Sequence, residues 1–214
     1  MTSSGKTYRR YTNLGAAIHM LQTKQITLLS PEKWDDGNDR HFMEVYKDKR
    51  NLQTLVAICL ANDADTYGHW RVFSPAGDGV CVVLRKDLLI ASFEGVPGVR
   101  HGEVDYREIK HLNGHPPTVY ELPFLKRWPG RSEREYRVLY EHATEGTKAK
   151  DFPLPDGCIA DVVLSPWMPE SLVASVKRTL KSIEGCSGIS MYQSTLVKNH
   201  EWTSITDRAR NDGR

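Results

Sequence analysis

Two unbroken apolar runs, Thr54–Leu60 and Gly79–Leu84, restrict what this chain can fold into more than any other feature of its 214 residues. Both have strand length and neither alternates apolar with polar side chains, the pattern of strands buried on both faces. A sheet with such strands at its centre needs cover on each side. Two helical patterns can supply it. After the aromatic-rich strand candidate Tyr8–Tyr11, Thr12 or Asn13 caps a helix whose Leu14, Ala17, Ile18 and Leu21 recur at i, i+3, i+4 and i+7. Pro169 opens a second helix with Leu172, Val173, Val176, Leu180 and Ile183 along one side, closed by Gly185.

Further strands are expected at Ile26–Ser30 (stopped by Pro31), Glu135–Tyr140 and Ile159–Leu164, with additional candidates at Gly102–Tyr106 and Ser190–Val197, and a polar loop over Asn62–Gly79. The sum is an α+β single domain with a central mixed or antiparallel sheet of five to seven strands and two principal helices. The domain is expected to span residues 8–202, with residues 1–7 a disordered N-terminus and 203–214 a flexible C-terminal tail. No repeat or low-complexity stretch divides it.

Composition excludes several classes. Hydrophobic residues at 39% and charged residues at 26% describe a globule, and the longest apolar run, Leu55–Ala61, is too short to span a bilayer. No signal peptide is visible behind Met1, so a cytoplasmic location and no membrane partner are expected. A net charge of +2 is not the footprint of a protein that coats nucleic acid. The four cysteines, Cys59, Cys81, Cys158 and Cys186, are scattered without a C-x-x-C pair and read as buried or inert thiols.

Three stretches are dense in chemistry-bearing residues. Arg10-Tyr11-Thr12 stands where the first strand meets the first helix, beside free backbone N–H groups suited to an anion, although Arg10 could equally snorkel and Thr12 merely cap. Trp34 to His41 holds three aspartates and a histidine. Its spacing is not that of an EF-hand, so turn chemistry or polar ligand contacts come ahead of a hard cation. Lys126 to Arg137 packs five cations and two carboxylates around Trp128. On a strand, Glu133, Glu135 and Arg137 share a face, and paired carboxylates imply that one has a raised pKa. The bland alternative is an edge strand laced with ion pairs. His69 and Trp70 could line a pocket from the central loop.

In order, these stretches resemble the bacterial and phage family called domain of unknown function 2971. The matching residues are Arg10-Tyr11-Thr12, the helix at Asn13–Gln22, Ile26–Pro31, Trp34-Asp35-Asp36, His69-Trp70, Gly79 to Val83, Val104-Asp105-Tyr106, Lys126 with Glu133 to Arg137, and Ile159–Pro166 with its following helix. The acidic turn departs from the Asn-Asp-Pro that many members carry, and the family supplies no activity.

A second pattern resembles ADP-ribosyltransferases: Arg10-x-Thr12, a helix, Ser30, then Glu133-x-Glu135. That resemblance implies NAD as the substrate and no metal. Arg10, Tyr11, Thr12, Ser30 and Trp34 would bind NAD, with Tyr11 or Trp34 stacking on the nicotinamide. Glu135 would bind the ribose and stabilise its developing positive charge, and Glu133 would orient or deprotonate the acceptor. Arg127, Trp128, Arg131, Arg134, Arg137, His69 and Trp70 would contact the acceptor, a nucleic acid or a protein, in a setting such as conflict between phage and bacterium. Two rivals stand beside it. One is a metal-dependent enzyme acting on nucleic acid, with Asp35, Asp39, Glu133 and Glu135 around a cation. The other is a non-catalytic binding module docking through Trp128.

Overall fold

The computed structural model describes residues 5–62 and 64–208. In chain order the elements are β1 (Thr7–Asn13), α1 (Leu14–Thr23), β2 (Gln25–Leu29), α2 (Gly37–Lys49), β3 (Thr54–Ala61), α3 (Tyr67–Phe73), β4 (Gly79–Arg85), α4 (Lys86–Ala91), β5 (Val99–Glu103), β6 (Asp105–Arg107), α5 (Ile109–Leu112), β7 (Leu125–Arg127), β8 (Glu135–His142), β9 (Ala149–Pro153), β10 (Ile159–Leu164), α6 (Glu170–Lys181), β11 (Ser190–Gln193) and α7 (His200–Thr203). Short 3₁₀ turns at Pro31–Lys33, Val119–Phe124, Trp128–Glu133 and Ser204–Arg208 join or end them.

The fold is α+β around a nine-stranded mixed sheet, with β6 and β7 forming a separate parallel pair. The two apolar runs are β3 and β4, and both are buried along almost their whole length. Strand β3 is the junction of the sheet. Its full length pairs with β8, from Thr54 opposite His142 to Ala61 opposite Glu135. One end meets β1 at Arg9–Ala61, and its middle meets β2 at Leu29–Ala57. Beyond β1 the sheet continues through β4 and β10 to a parallel edge with β11; β2 carries β9, and β8 carries β5.

Alternation along β3 and β8 then sorts the side chains. Ile58, Leu60, Tyr136 and Val138 enter the main core with α1 and α6 residues such as Leu21 and Leu180. Ala57 and Leu139 face the other way, into a cluster with Met43 and Tyr46 of α2. Cys59, Glu135 and Arg137 lie on this second face, one step along the strands from that cluster.

Several expectations change. The sheet has nine strands rather than five to seven: β9 was not expected, and β5 runs over Val99–Glu103 where a strand was expected at 102–106. Helix α2, of 13 residues, occupies a stretch read as turn chemistry, so α1 and α6 are not the only principal helices. Its start was legible in part: Asp36 is an N-cap whose side chain accepts from the Asn38 and Asp39 backbone N–H groups. Replacing it, Asp36→Ala, is expected to cost about 1 kcal/mol of stability, measured by urea unfolding. The polar loop contains α3, capped by Thr66. Strand β8 is flanked by β3 and β5, so the edge-strand reading of its charges fails. The last strand stops at Gln193, and α6 ends at Lys181, before Gly185. Residues 203–208, expected to be tail, complete α7 and a 3₁₀ turn; residues 1–4 and 209–214 lie outside the described residues.

Candidate active site

The 3₁₀ turn Trp128–Glu133 leads into β8 through Arg134, which takes a left-handed backbone conformation at φ 44°. This reversal means that Glu133 is not on the strand with Glu135. It is held by its neighbours instead. The Glu133 carbonyl can only accept a hydrogen bond, so the His69 Nε2 that lies 3.0 Å away carries the proton. His69 Nδ1 then accepts from the Thr66 hydroxyl at 2.7 Å. Both ring nitrogens are therefore engaged, and His69 anchors the turn rather than reaching toward a ligand.

Glu133 and Glu135 nevertheless converge. Lys126 on β7 places its ammonium 2.6 Å from Glu133, 3.4 Å from Glu135 and 3.5 Å from Asp39 of α2. Arg137 donates from Nε to Glu135 at 2.6 Å and takes Asp39 in a two-pronged pairing at 3.0 and 2.8 Å. Its Nη1 also donates to the Pro123 carbonyl at 2.7 Å. Arg137 has 0% exposure and Glu135 4%, so the strand carries a desolvated charge network and not a surface ladder. A network of this kind persists only when nearly every member is paired, because an uncompensated buried charge costs several kcal/mol.

The environments push the two glutamates apart. Burial alone raises the Glu135 pKa, but Arg137 and then Lys126 outweigh it and hold the group at about 2. Burial also raises Glu133, and its hydrogen bond and attraction to Lys126 offset this only in part, so Glu133 stays above its ordinary value. Two nearby carboxylates with opposite shifts are suited to different tasks, one permanently ionised and one able to exchange a proton. The sequence expectation of one raised carboxylate pKa thus falls on Glu133.

Both carboxylates line a cavity of about 270 Å³, whose wall also includes Arg10, Trp34, Cys59, Val72, Phe73 and Asp39. Arg10 donates to the Cys59 carbonyl at 3.1 Å, and burial lowers its pKa against the pull of Cys59 and Glu135. The Trp34 ring is backed by the Arg137 guanidinium, 4.8 Å from its centroid. Burial raises the Cys59 thiol above its ordinary pKa, and all four cysteines are free thiols.

Other expected ligands are committed to the core or to caps. Tyr11 lines a narrow crevice with Arg10, Phe73, Glu133 and Glu135, but it is buried there, with its hydroxyl donating to Asp65 at 3.2 Å and its ring edge-on to Trp70. Trp70 is fully buried, its Nε1 donating to Asp65 at 2.5 Å, so it serves the core and not an acceptor. Thr12 and Ser30 are absent from the cavity wall. The Thr12 carbonyl accepts from Ser74, Asn13 caps α1, and Ser30 caps the turn at Pro31. Arg137 lies beneath the cavity, where its donors face Asp39, Glu135 and Pro123, out of reach of an acceptor.

The arginine-rich turn borders the site from two sides. Arg127 lines an adjoining cavity of about 420 Å³ with Asp39 and Lys126, and Arg131 and Arg134 line another beside Glu135. Trp128 is 44% exposed, with Arg131 4.7 Å over its ring. Among the described residues no three His, Cys, Asp or Glu side chains are arranged to hold a metal ion, and Lys126 and Arg137 stand among the carboxylates that the metal reading enlisted.

Sequence reasoning offered Asp39 only as a ligand in the metal reading, not as the buried partner of Arg137, and gave Lys126 no role. Asp39, Met43 and Tyr46 recur at i, i+4 and i+7, the three buried positions of α2. That periodicity was the available signal, obscured by the Asp-Asn-Gly composition of the segment.

No protein-family model matches the chain, which leaves the resemblance to domain of unknown function 2971 without support, and no curated protein matches it. Among solved structures, the chain is similar to DarT from Thermus sp. 2.9 in complex with ADP-ribosylated ssDNA. That likeness has a TM-score of 0.45 and 11% identity over 88% of this chain and 94% of the other. The same protein with NAD⁺ gives a TM-score of 0.43 and 11% identity over 88% and 95%. With carba-NAD⁺ the values are 0.44 and 9% over 91% and 97%. The likeness is distant.

Proposed function

We propose that this chain is an NAD-dependent ADP-ribosyltransferase with a macromolecular acceptor, most simply a nucleic acid. One observation carries the reading. Glu133 and Glu135 meet in a single cavity with opposite pKa shifts, and Arg10 and Trp34 share its wall.

The residues fit part of NAD. A cavity of about 270 Å³ is close to the lower end of small-molecule sites, which run to about 300–1,000 Å³. It suits the nicotinamide and its ribose, with the adenosine half outside the mouth. Trp34 and Phe73 offer aromatic surface to the nicotinamide, and Arg10 offers a cation to the ribose or pyrophosphate oxygens.

The chemistry follows from the charges. Nicotinamide leaves with the electron pair of its bond to the ribose, and positive charge grows on the ribose carbon and ring oxygen. Glu135, ionised throughout, accepts from the ribose 2′-hydroxyl and stabilises that charge more in the transition state than before it. The acceptor atom then bonds to the ribose carbon and gives its proton to Glu133. Arg127, Arg131 and Arg134 suit phosphates beside the site, and Trp128 gives a base a surface to stack on.

Incubation of the purified chain with NAD labelled in the adenosine half, with and without bacterial extract, tests this. Label in a nuclease-sensitive product is expected. Label in a protease-sensitive product redirects the acceptor to protein, and no transfer or nicotinamide release with any acceptor overturns the transferase.

A further inference from the structure

We propose that Lys126 is a positioning residue for this reaction: its ammonium keeps the Glu133 carboxylate charged and aimed into the cavity, as Arg137 does for Glu135. The assignment of the reaction rests on the transferase reading above, but the electrostatic role of Lys126 can be measured without it.

Geometry separates the two cations. Arg137 reaches Glu135 and Asp39 but makes no bond to Glu133. Glu133 sits on a turn outside the strand, and its side-chain hydrogen bond runs to Lys126 at 2.6 Å. Lys126 itself is 9% exposed at its side chain, so water screens the pair poorly. It also borders both the Glu133 cavity and the adjoining one with Arg127, and so stands in the partition between them.

Every neighbouring element contributes a charge or a dipole. Helix α2 gives Asp36 and Asp39; β8 gives Glu135 and Arg137; β1 gives Arg10; β6 gives Tyr106; and β3 gives Cys59. From α3, His69 holds the Glu133 carbonyl. Among the described residues, the cations at ion-pair distance from Asp39, Glu133 and Glu135 are Lys126 and Arg137. Removing Lys126 leaves Glu133, 20% exposed at its side chain, near two other carboxylates with no ion-pair partner among the described residues. Its pKa then rises, and a base that must be deprotonated works only at higher pH.

The test is a carboxyl-carbon NMR titration of Glu133 in the wild type, Lys126→Met and Lys126→Arg. Loss of a contacting cation is expected to move the Glu133 midpoint upward by about one to three pH units in Lys126→Met. Glu135 stays low beside Arg137, and Lys126→Arg stays near the wild type. Should methionine unfold the chain, Lys126→Gln removes the charge while keeping a hydrogen-bond donor and gives the same comparison. A Glu133 midpoint unmoved in the neutral variant overturns the proposal. In the pH profile of kcat, the acid limb should shift with the NMR midpoint; an NMR shift in a chain that never turns over NAD leaves Lys126 its electrostatic role and removes the transferase instead.

Discussion

Glu135→Gln is expected to lower kcat for nicotinamide release by about 10²–10³-fold or more, the scale seen when one aimed electrostatic stabiliser is removed. Gln keeps the shape and can still hydrogen-bond the ribose 2′-hydroxyl, so NAD affinity should change far less than kcat. That split distinguishes a group acting on the developing charge from one that only binds substrate. The variant also loses stability, because Arg137 and Lys126 each lose a buried carboxylate partner, so kcat is compared at a temperature where both proteins are folded. A variant that loses affinity and kcat equally would make Glu135 a binding group and deprive it of its catalytic role.

The second large effect concerns stability. Arg137→Met leaves the buried carboxylates of Glu135 and Asp39 with Lys126, 3.4 and 3.5 Å away, as their remaining cation. Breaking a buried pair from one side costs about 3–5 kcal/mol. For a chain of this size, at about 2–4 °C per kcal/mol, that lowers Tm by about 6–20 °C. Calorimetry of the variant checks it, and a Tm within a degree or two of wild type would contradict the network.

The same network sets an acid limit. The folded pKa of Glu135 is depressed, so its stabilisation is complete above the ordinary glutamate range and is lost as pH falls through that range toward about 2. The unfolding free energy should fall across that interval, and the fall should be smaller in Glu135→Gln. Equal acid sensitivity in both proteins would place the titration elsewhere.

The centre of the fold was legible because burial on both faces leaves a continuous apolar signature, and β3 and β4 carry it. Helix α1 was legible from its period and its Asn13 cap. What escaped were elements whose signal is mixed. Helix α2 has one buried face, but Asp39 occupies it because Arg137 pays its desolvation from another strand, and no local pattern shows a partner 98 residues away. Strand β9 ends the strand order beside β2 and alternates weakly.

The candidate site divides in the same way. Glu133 and Glu135 were identifiable from their spacing, and that spacing implied a shared strand face. The structure brings them together differently, through the left-handed Arg134 and the reach of Lys126. Tyr11, Trp70 and His69 were attractive as residue types, yet each has its polar atoms committed to Asp65, Thr66 or Glu133. Residue type suggests chemistry, and hydrogen-bond partners decide whether a side chain is free to perform it.

The most direct measurement of the central claim is a crystal structure of Glu135→Gln soaked with NAD, paired with calorimetric titration of the same protein. The expected result is nicotinamide riboside density between Trp34 and residue 135, with Arg10 on a ribose or phosphate oxygen. An empty cavity together with no heat of binding at millimolar NAD would contradict it.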